Sequence, residues 1–274
     1  LPGVSFSSTL ISTDVPLLFF VSLGLLAVAK LTQRRSWGWT WVLGVAIGLG
    51  FLSKYAMSYF LLALALYVAF PGDKKPLWRG AHIYVALLIG TALVIPNIVW
   101  NMQNGFATLS HTAENAAWGT SGFRFKEFFD FLGGQLAGFG PALLFVLLAF
   151  LVQVARKLLQ RDNNVSLGTP ERLLLAFTLP ALALMTGQAF VSRAHANWAA
   201  FAYVAATVLV TALMMRAKQL RLFRFSLGLH IVVGVLLMVG GAFAGRMPLI
   251  RDPYARVLGW KAVAEATAAK AEAE

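Results

Sequence analysis

The chain has 274 residues, of which 59% are hydrophobic and only 12% charged. Soluble globular domains carry about a quarter charged residues, so this composition leaves too little polar surface for a water-facing globule and excludes a soluble enzyme, a disordered chain and a fibrous one. A net charge of +12 would point to nucleic acid on one soluble face, but in a membrane protein it points to basic cytoplasmic loops beside anionic lipid.

With no cysteine, a disulfide framework, a thiolate nucleophile and a cysteine metal site are all excluded. Leu1–Ser12 has no basic segment leading into an apolar run, so no signal peptide is read there. The chain is expected to be part of something longer and to start just before its first span. Apolar runs follow at Val15–Ala29, Trp39–Ser53, Ala56–Phe70, Ile83–Trp100, Phe131–Val154, Leu173–Val191, Trp198–Met215 and Phe225–Gly245. At roughly 20 residues per span plus short loops, this length allows about eight. The prediction is an all-α, polytopic membrane helix bundle of about eight transmembrane helices over residues 1–245. Residues 246–274 are read as the start of an extracytoplasmic tail or domain, with Lys261–Glu274 as a polar helix.

Within this order, two runs are short and flank Lys54, a pattern that fits half-helices meeting near a site as well as a plain hairpin. Gly44 and Gly48 form a GxxxG spacing suited to close helix packing. Gly133, Gly134, Gly138, Gly140 and Pro141 predict an irregular or kinked lead-in over Gly133–Pro141.

The turns between runs sort by charge. One alternate set holds Lys30, Arg34 and Arg35, then Lys74, Lys75 and Arg79, then Arg156, Lys157, Arg161 and Arg172, then Arg216, Lys218, Arg221 and Arg224. These fourteen basic residues face only Asp73, Asp162 and Glu171, so +11 of the net +12 lies on one side of an eight-span arrangement. The positive-inside rule makes that side cytoplasmic. Asp14, Lys54, the loop Asn101–Asp130, the turn Ser192–Asn197 and the tail after Arg246 then share the extracytoplasmic side.

Those outer positions carry the groups capable of chemistry. Asp14 opens the first span, where it fits a helix N-cap or a carboxylate holding a basic partner, a hydroxyl or a metal. Lys54 sits between apolar flanks, where a mid-membrane lysine costs about 2.5–3.5 kcal/mol. It either snorkels to the interface or is an ammonium held there to meet an anion such as phosphate. Tyr55 fits an interfacial belt or the same pocket. The stretch Val94–Phe125, from the end of the fourth run into the loop after it, carries Asn97, Asn101, Gln103, His111, Glu114 and Arg124. His111 and Glu114 lie i, i+3 apart, but two ligands are too few for a metal site, and none is assigned. Arg124 suits a bidentate phosphate clamp or plain solvation. Arg193, His195, Asn197 and Trp198 crowd into one short turn, more hydrogen-bonding groups than anchoring by Trp198 requires. His82 and His230 are read as structural. These groups describe an outward-facing polar pocket with a fixed cation. An enzyme acting on a lipid phosphate and a transporter or flippase for an anionic lipid or small anion both satisfy that description.

Six stretches, in order, resemble the bacterial glycosyltransferase 39 family, related to protein mannosyltransferases and to the lipid A aminoarabinose transferase: ISTDVPLLFF, GLGFLSKY, IPNIVWNMQNGFA, GGQLAGFGP, HANWAAFAY and RDPYARVLGW. The resemblance spans most of Ser8–Trp260. It implies a GT-C membrane bundle in the bacterial inner membrane with a periplasmic active face. It also implies inverting transfer of a hexose or pentose from a polyprenyl-phosphate sugar to a hydroxyl of a glycolipid or protein. The implied partners are thus membrane lipid, the lipid-linked donor and that acceptor, with no nucleic acid. No cofactor is assigned and the divalent-metal requirement is left open. The developing charge on the leaving phosphate calls for cations. By resemblance, Lys54, Arg124 and Arg193 are donor-phosphate contacts, with Lys54 foremost, and Asp14, Tyr55, His111 and Asn197 line the site. The chain departs from the family at Asn104, Phe106 and Asn197–Tyr203. The family's catalytic base is an acidic pair in an earlier outer loop. No catalytic residue is therefore assigned in this chain, which is expected to be inactive alone.

Overall fold

The computed structural model describes residues 1–10, 12–69, 77–115, 123–160, 167–192, 194–246, 254 and 258–273. Asp73, Lys74, Lys75, Arg161, Asp162 and the candidate Arg193 lie outside the described residues. Every element the described residues form is helical: α1 (Pro2–Ser8), α2 (Asp14–Gln33), α3 (Trp37–Ser53), α4 (Ser58–Ala69), α5 (Ala81–Gln103), α6 (Ala107–Asn115), α7 (Phe125–Phe139), α8 (Pro141–Leu159), α9 (Thr169–Val191), α10 (Ala200–Arg216), α11 (Leu220–Ala242) and α12 (Trp260–Ala273). Short 3₁₀ turns, Tyr55–Met57 and Ala196–Ala199, lead into α4 and α10.

The protein is therefore an all-α membrane bundle, and each predicted run is mainly helix among the described residues. The runs are not equal in length. Five helices are long and apolar enough to cross a membrane: α2, α5, α9, α10 with its leading turn, and α11. A sixth span arises if α7 and α8, bent by 111° at their junction, count as one. Trp37–Ser53 and Tyr55–Ala69 are shorter apolar helices on either side of Lys54. They take separate partners: α3 lies between α2 and α5, and α4 packs on α9.

Of the two forms expected for Gly133–Pro141, irregular or kinked, the structure shows the kink: α7 and α8 bend by 111° at its end. Gly133, Gly134 and Gly138 are ordinary helix, and the break is confined to Gly140 at φ +96°, a left-handed conformation that glycine adopts without a Cβ penalty. Pro141 then starts α8, where its missing N–H leaves no helical bond unmade. Helix α7 also begins earlier than the apolar run because it is amphipathic. Phe131, Gln135 and Phe139, four apart, are buried, whereas Lys126 and Asp130 are exposed and pair at 2.6 Å.

Membrane helices associate through close backbone approach rather than through a hydrophobic drive. The α3–α5 seam shows how. A Cβ on Gly48 would stand 2.7 Å from Leu93 and 3.1 Å from the Gly90 carbonyl oxygen. One on Gly90 would stand 3.2 Å from the Gly44 carbonyl oxygen. This seam brings the end of α3, with Lys54, beside the end of α5, with Asn97 and Asn101. Two buried clusters complete the core. One joins α2, α3, α4, α5, α9 and α10 around Phe60, Phe177 and Phe201. The other joins α7 to α10 around Phe131, Phe139 and Leu209. Large apolar side chains outside these clusters, such as Leu88 of α5 and Ile231 and Leu236 of α11, are exposed and suited to lipid contact.

The two ends of the bundle carry different groups. At one end the Arg216 guanidinium pairs with Glu171, and the Trp37 ring meets that of His82 at a 50° tilt with centres 4.3 Å apart; His82 Nδ1 lies 2.9 Å from Thr40 Oγ1. Asp14, Lys54 and Asn197 meet at the other end. Helix α12 forms where a polar helix was predicted and is exposed along its length. Tyr254 is buried, donating its hydroxyl to the Leu237 carbonyl.

Candidate active site

The ends of α2, α3 and α5 nearest Asp14, Lys54 and Asn97, together with the turn leading into α10 and roofed by α6, enclose a cavity of about 870 Å³. Asp14 is 5% exposed at its edge. It is not a helix cap: Thr13 occupies that position and no side-chain capping bond forms. The carboxylate instead gathers three partners. Lys54 Nζ donates to Oδ1 at 2.6 Å, Asn197 Nδ2 donates to Oδ2 at 2.7 Å, and Ser12 Oγ donates to Oδ2 at 3.2 Å. These partners are 40 and 183 residues away for Lys54 and Asn197. The start of α2 adds its N-terminal dipole, which favours a carboxylate there.

Lys54 is the residue at which α3 stops. Its backbone is extended at φ −163°, so the side chain leaves the helix and reaches across to Asp14 instead of stretching toward the interface. It is 27% exposed and is the one lysine or arginine among the described residues lining the cavity. An ammonium carries three donors, and Asp14 takes one of them. The remaining donors can meet an anionic oxygen without leaving a bare charge, because the carboxylate already balances the ammonium.

A second network holds the roof. The Tyr55 hydroxyl donates to Asn97 Oδ1 at 2.6 Å and lies 3.0 Å from Thr108 Oγ1. Asn101, 4% exposed, donates through Nδ2 to the Tyr55 oxygen at 3.1 Å and to the Asn97 carbonyl at 2.9 Å. Its Oδ1 accepts from the Thr108 hydroxyl. Between Asn101 and Thr108 the chain reverses through Gly105 at φ +62° and Phe106 at φ +55°. A left-handed phenylalanine is strained, and the Phe106 N–H bond to the Asn101 carbonyl at 2.8 Å holds it. This reversal turns α6 back so that Thr108, His111 and Thr112 line the cavity.

Of the predicted site residues, the structure brings Asp14, Lys54, Tyr55, His111 and Asn197 to one cavity. Glu114 is exposed on α6 and is not among the lining residues. Arg124 is not brought there either. It is the N-cap residue just before α7, its N–H donates to the Phe190 carbonyl at 3.0 Å, and its guanidinium lies 3.4 Å from Glu127. Among the described residues no group of three His, Asp or Glu forms a metal-binding set. Sequence reasoning missed Thr108, Tyr59 and Gln188, which also line the cavity. Asn97 and Asn101, four apart on one helix face, carry the signal that would have found Thr108.

Residues 2–100 match the family described as dolichyl-phosphate-mannose-protein mannosyltransferase. The chain is 34% identical, over 249 residues, to the lipid A galacturonosyltransferase RgtD of Rhizobium johnstonii; the match covers 91% of this chain and 50% of that protein. The chain thus spans about half the length of the curated relative it matches. No solved structure matches it.

Proposed function

For a chain related to the dolichyl-phosphate-mannose-protein mannosyltransferases of glycosyltransferase family 39, we propose a role in membrane glycosyl transfer. The donor is a polyprenyl-phosphate sugar, and the acceptor is a hydroxyl of a lipid-borne saccharide of the lipid A type. Transfer takes place on the periplasmic side of a bacterial inner membrane. The acceptor oxygen forms a bond to the anomeric carbon as the carbon–oxygen bond to phosphate breaks, and the acceptor proton passes to a base that this chain is not assigned. Negative charge grows on the leaving phosphate, and a cation already aimed at that position stabilises the transition state more than the ground state.

The observation that carries this reading is the Asp14–Lys54–Asn197 cluster in the cavity. It holds one cation in place by a carboxylate that is itself tethered to the Ala196–Ala199 turn. The identity to a lipid A galacturonosyltransferase supports the lipid-borne acceptor, and the match of residues 2–100 supports glycosyl transfer. The direct test is the full-length protein in proteoliposomes with a labelled polyprenyl-phosphate sugar and a lipid A acceptor. Label moving into the acceptor is the expected outcome. A protein that instead carries the labelled donor across the bilayer without forming product is a transporter, and the proposal fails.

A further inference from the structure

The stretch GGQLAGFGP (Gly133–Pro141) has no part in the site as described, yet its side chains grip one wall of it. Gln135 is 4% exposed, in the middle of α7. Its Nε2 donates to the Phe131 carbonyl at 3.0 Å, one turn back, and to the Ala196 carbonyl at 3.3 Å, 61 residues away. Its Oε1 accepts from the Tyr203 hydroxyl on α10. Both amide hydrogens and the carbonyl are therefore engaged, which fixes which way the amide points. The neighbours are shaped to let this happen. A Cβ on Gly134 would run into the Ala196 methyl, so glycine lets the turn approach. Phe139 stacks on Tyr203 with ring centres 4.5 Å apart and planes 9° from parallel.

Ala196 is the residue next to Asn197, whose amide reaches Asp14 at 2.7 Å, and Asp14 holds Lys54 at 2.6 Å. We propose that Gln135 is a positioning residue: by clamping the Ala196–Ala199 turn against α7 it sets where Asn197 meets Asp14, and through Asp14 where the Lys54 ammonium stands. The inference rests on the glycosyl-transfer reading only for its kinetic consequence. A buried amide bridging two elements specifies one arrangement of them, since an apolar replacement removes the tie to the Ala196 carbonyl and leaves the buried Tyr203 hydroxyl without its Gln135 partner.

The test uses the full-length protein with Gln135→Met, which fills the space without the hydrogen bonds, and Tyr203→Phe, a milder change that keeps the stack on Phe139. Hydrogen exchange reads local opening. Exchange in the Ala196–Ala199 turn is expected to rise about tenfold or more in either variant, with α2 unchanged. Displacement of a reacting geometry by about 1 Å costs up to roughly 100-fold in rate, so turnover is expected to fall by about 10- to 100-fold. In an Asn197→Ala background the same substitutions are expected to change turnover less than about threefold, because the route through which Gln135 acts is already cut. Unchanged exchange in the turn overturns the inference, as does a loss of threefold or more on top of Asn197→Ala. If Gln135→Met does not fold, Tyr203→Phe decides by the same criteria. A wild-type protein without sugar transfer defeats the functional proposal alone, and the exchange measurement still decides the role of Gln135.

Discussion

Asp14→Ala is expected to be the most damaging single substitution at the cavity. It removes one carboxylate and strands the Lys54 ammonium and the Asn197 amide together. Breaking a fully buried pair costs about 3–5 kcal/mol, mostly for the charge left behind. Lys54 is 27% exposed, so part of that charge can be solvated, and the expected loss is about 2 kcal/mol. The cost belongs to the unpaired ammonium, so Asp14→Ala with Lys54→Ala together should be more stable than Asp14→Ala alone. Asp14→Asn keeps an acceptor for Lys54 and should lose less. Thermal unfolding of the purified protein in detergent measures all three. Equal stability of wild type, single and double variants would show that the pair contributes nothing to the folded state.

Gly140→Val is expected to damage the fold itself, at the corner between α7 and α8. The φ of +96° there is unfavourable for a β-branched residue by about 1–3 kcal/mol. A side chain would also meet the His230 imidazole, whose buried Nε2 has no hydrogen-bond partner among the described residues. Crowding of this kind adds about 1–3 kcal/mol, for an expected total near 3 kcal/mol. The two parts separate by experiment. In a His230→Ala background, Gly140→Val keeps the backbone cost and loses the clash, so its effect on unfolding should fall by about half. A wild-type unfolding temperature for Gly140→Val would mean that the 111° corner does not depend on glycine.

Much of the architecture was legible because it is written locally. The charge of each turn is a property of a few neighbouring residues, and it placed Asp14, Lys54, the loop after Asn101 and the Ser192–Asn197 turn on one side before any contact was known. The structure joins Asp14, Lys54 and Asn197 directly. What the sequence could not express was the joining. Taken with their own neighbours, Asp14 fits a cap as well as a carboxylate holding a basic partner, and Lys54 fits a snorkelling lysine as well as a fixed ammonium; only the contact between α2 and α3 makes them a pair. Helix α7 was mislocated for a similar reason: its burial repeats every four residues on one face, while the hydropathy of Phe125–Asp130 is diluted by Lys126, Glu127 and Asp130. Gln135 stood inside a recognised stretch but drew no notice, since a lone glutamine among glycines signals nothing until Ala196 and Tyr203 are brought to it.

The most direct test of the account is donor binding by the Lys54 variants of the full-length protein, measured with a polyprenyl phosphate in detergent. If the ammonium beside Asp14 meets the donor phosphate, Lys54→Ala should weaken binding by about tenfold or more, as expected for loss of a charge-assisted hydrogen bond. Lys54→Arg should recover part of it. Polyprenyl phosphate binding equally to wild type and Lys54→Ala would contradict the account, and Lys54 would then be only the structural partner of Asp14.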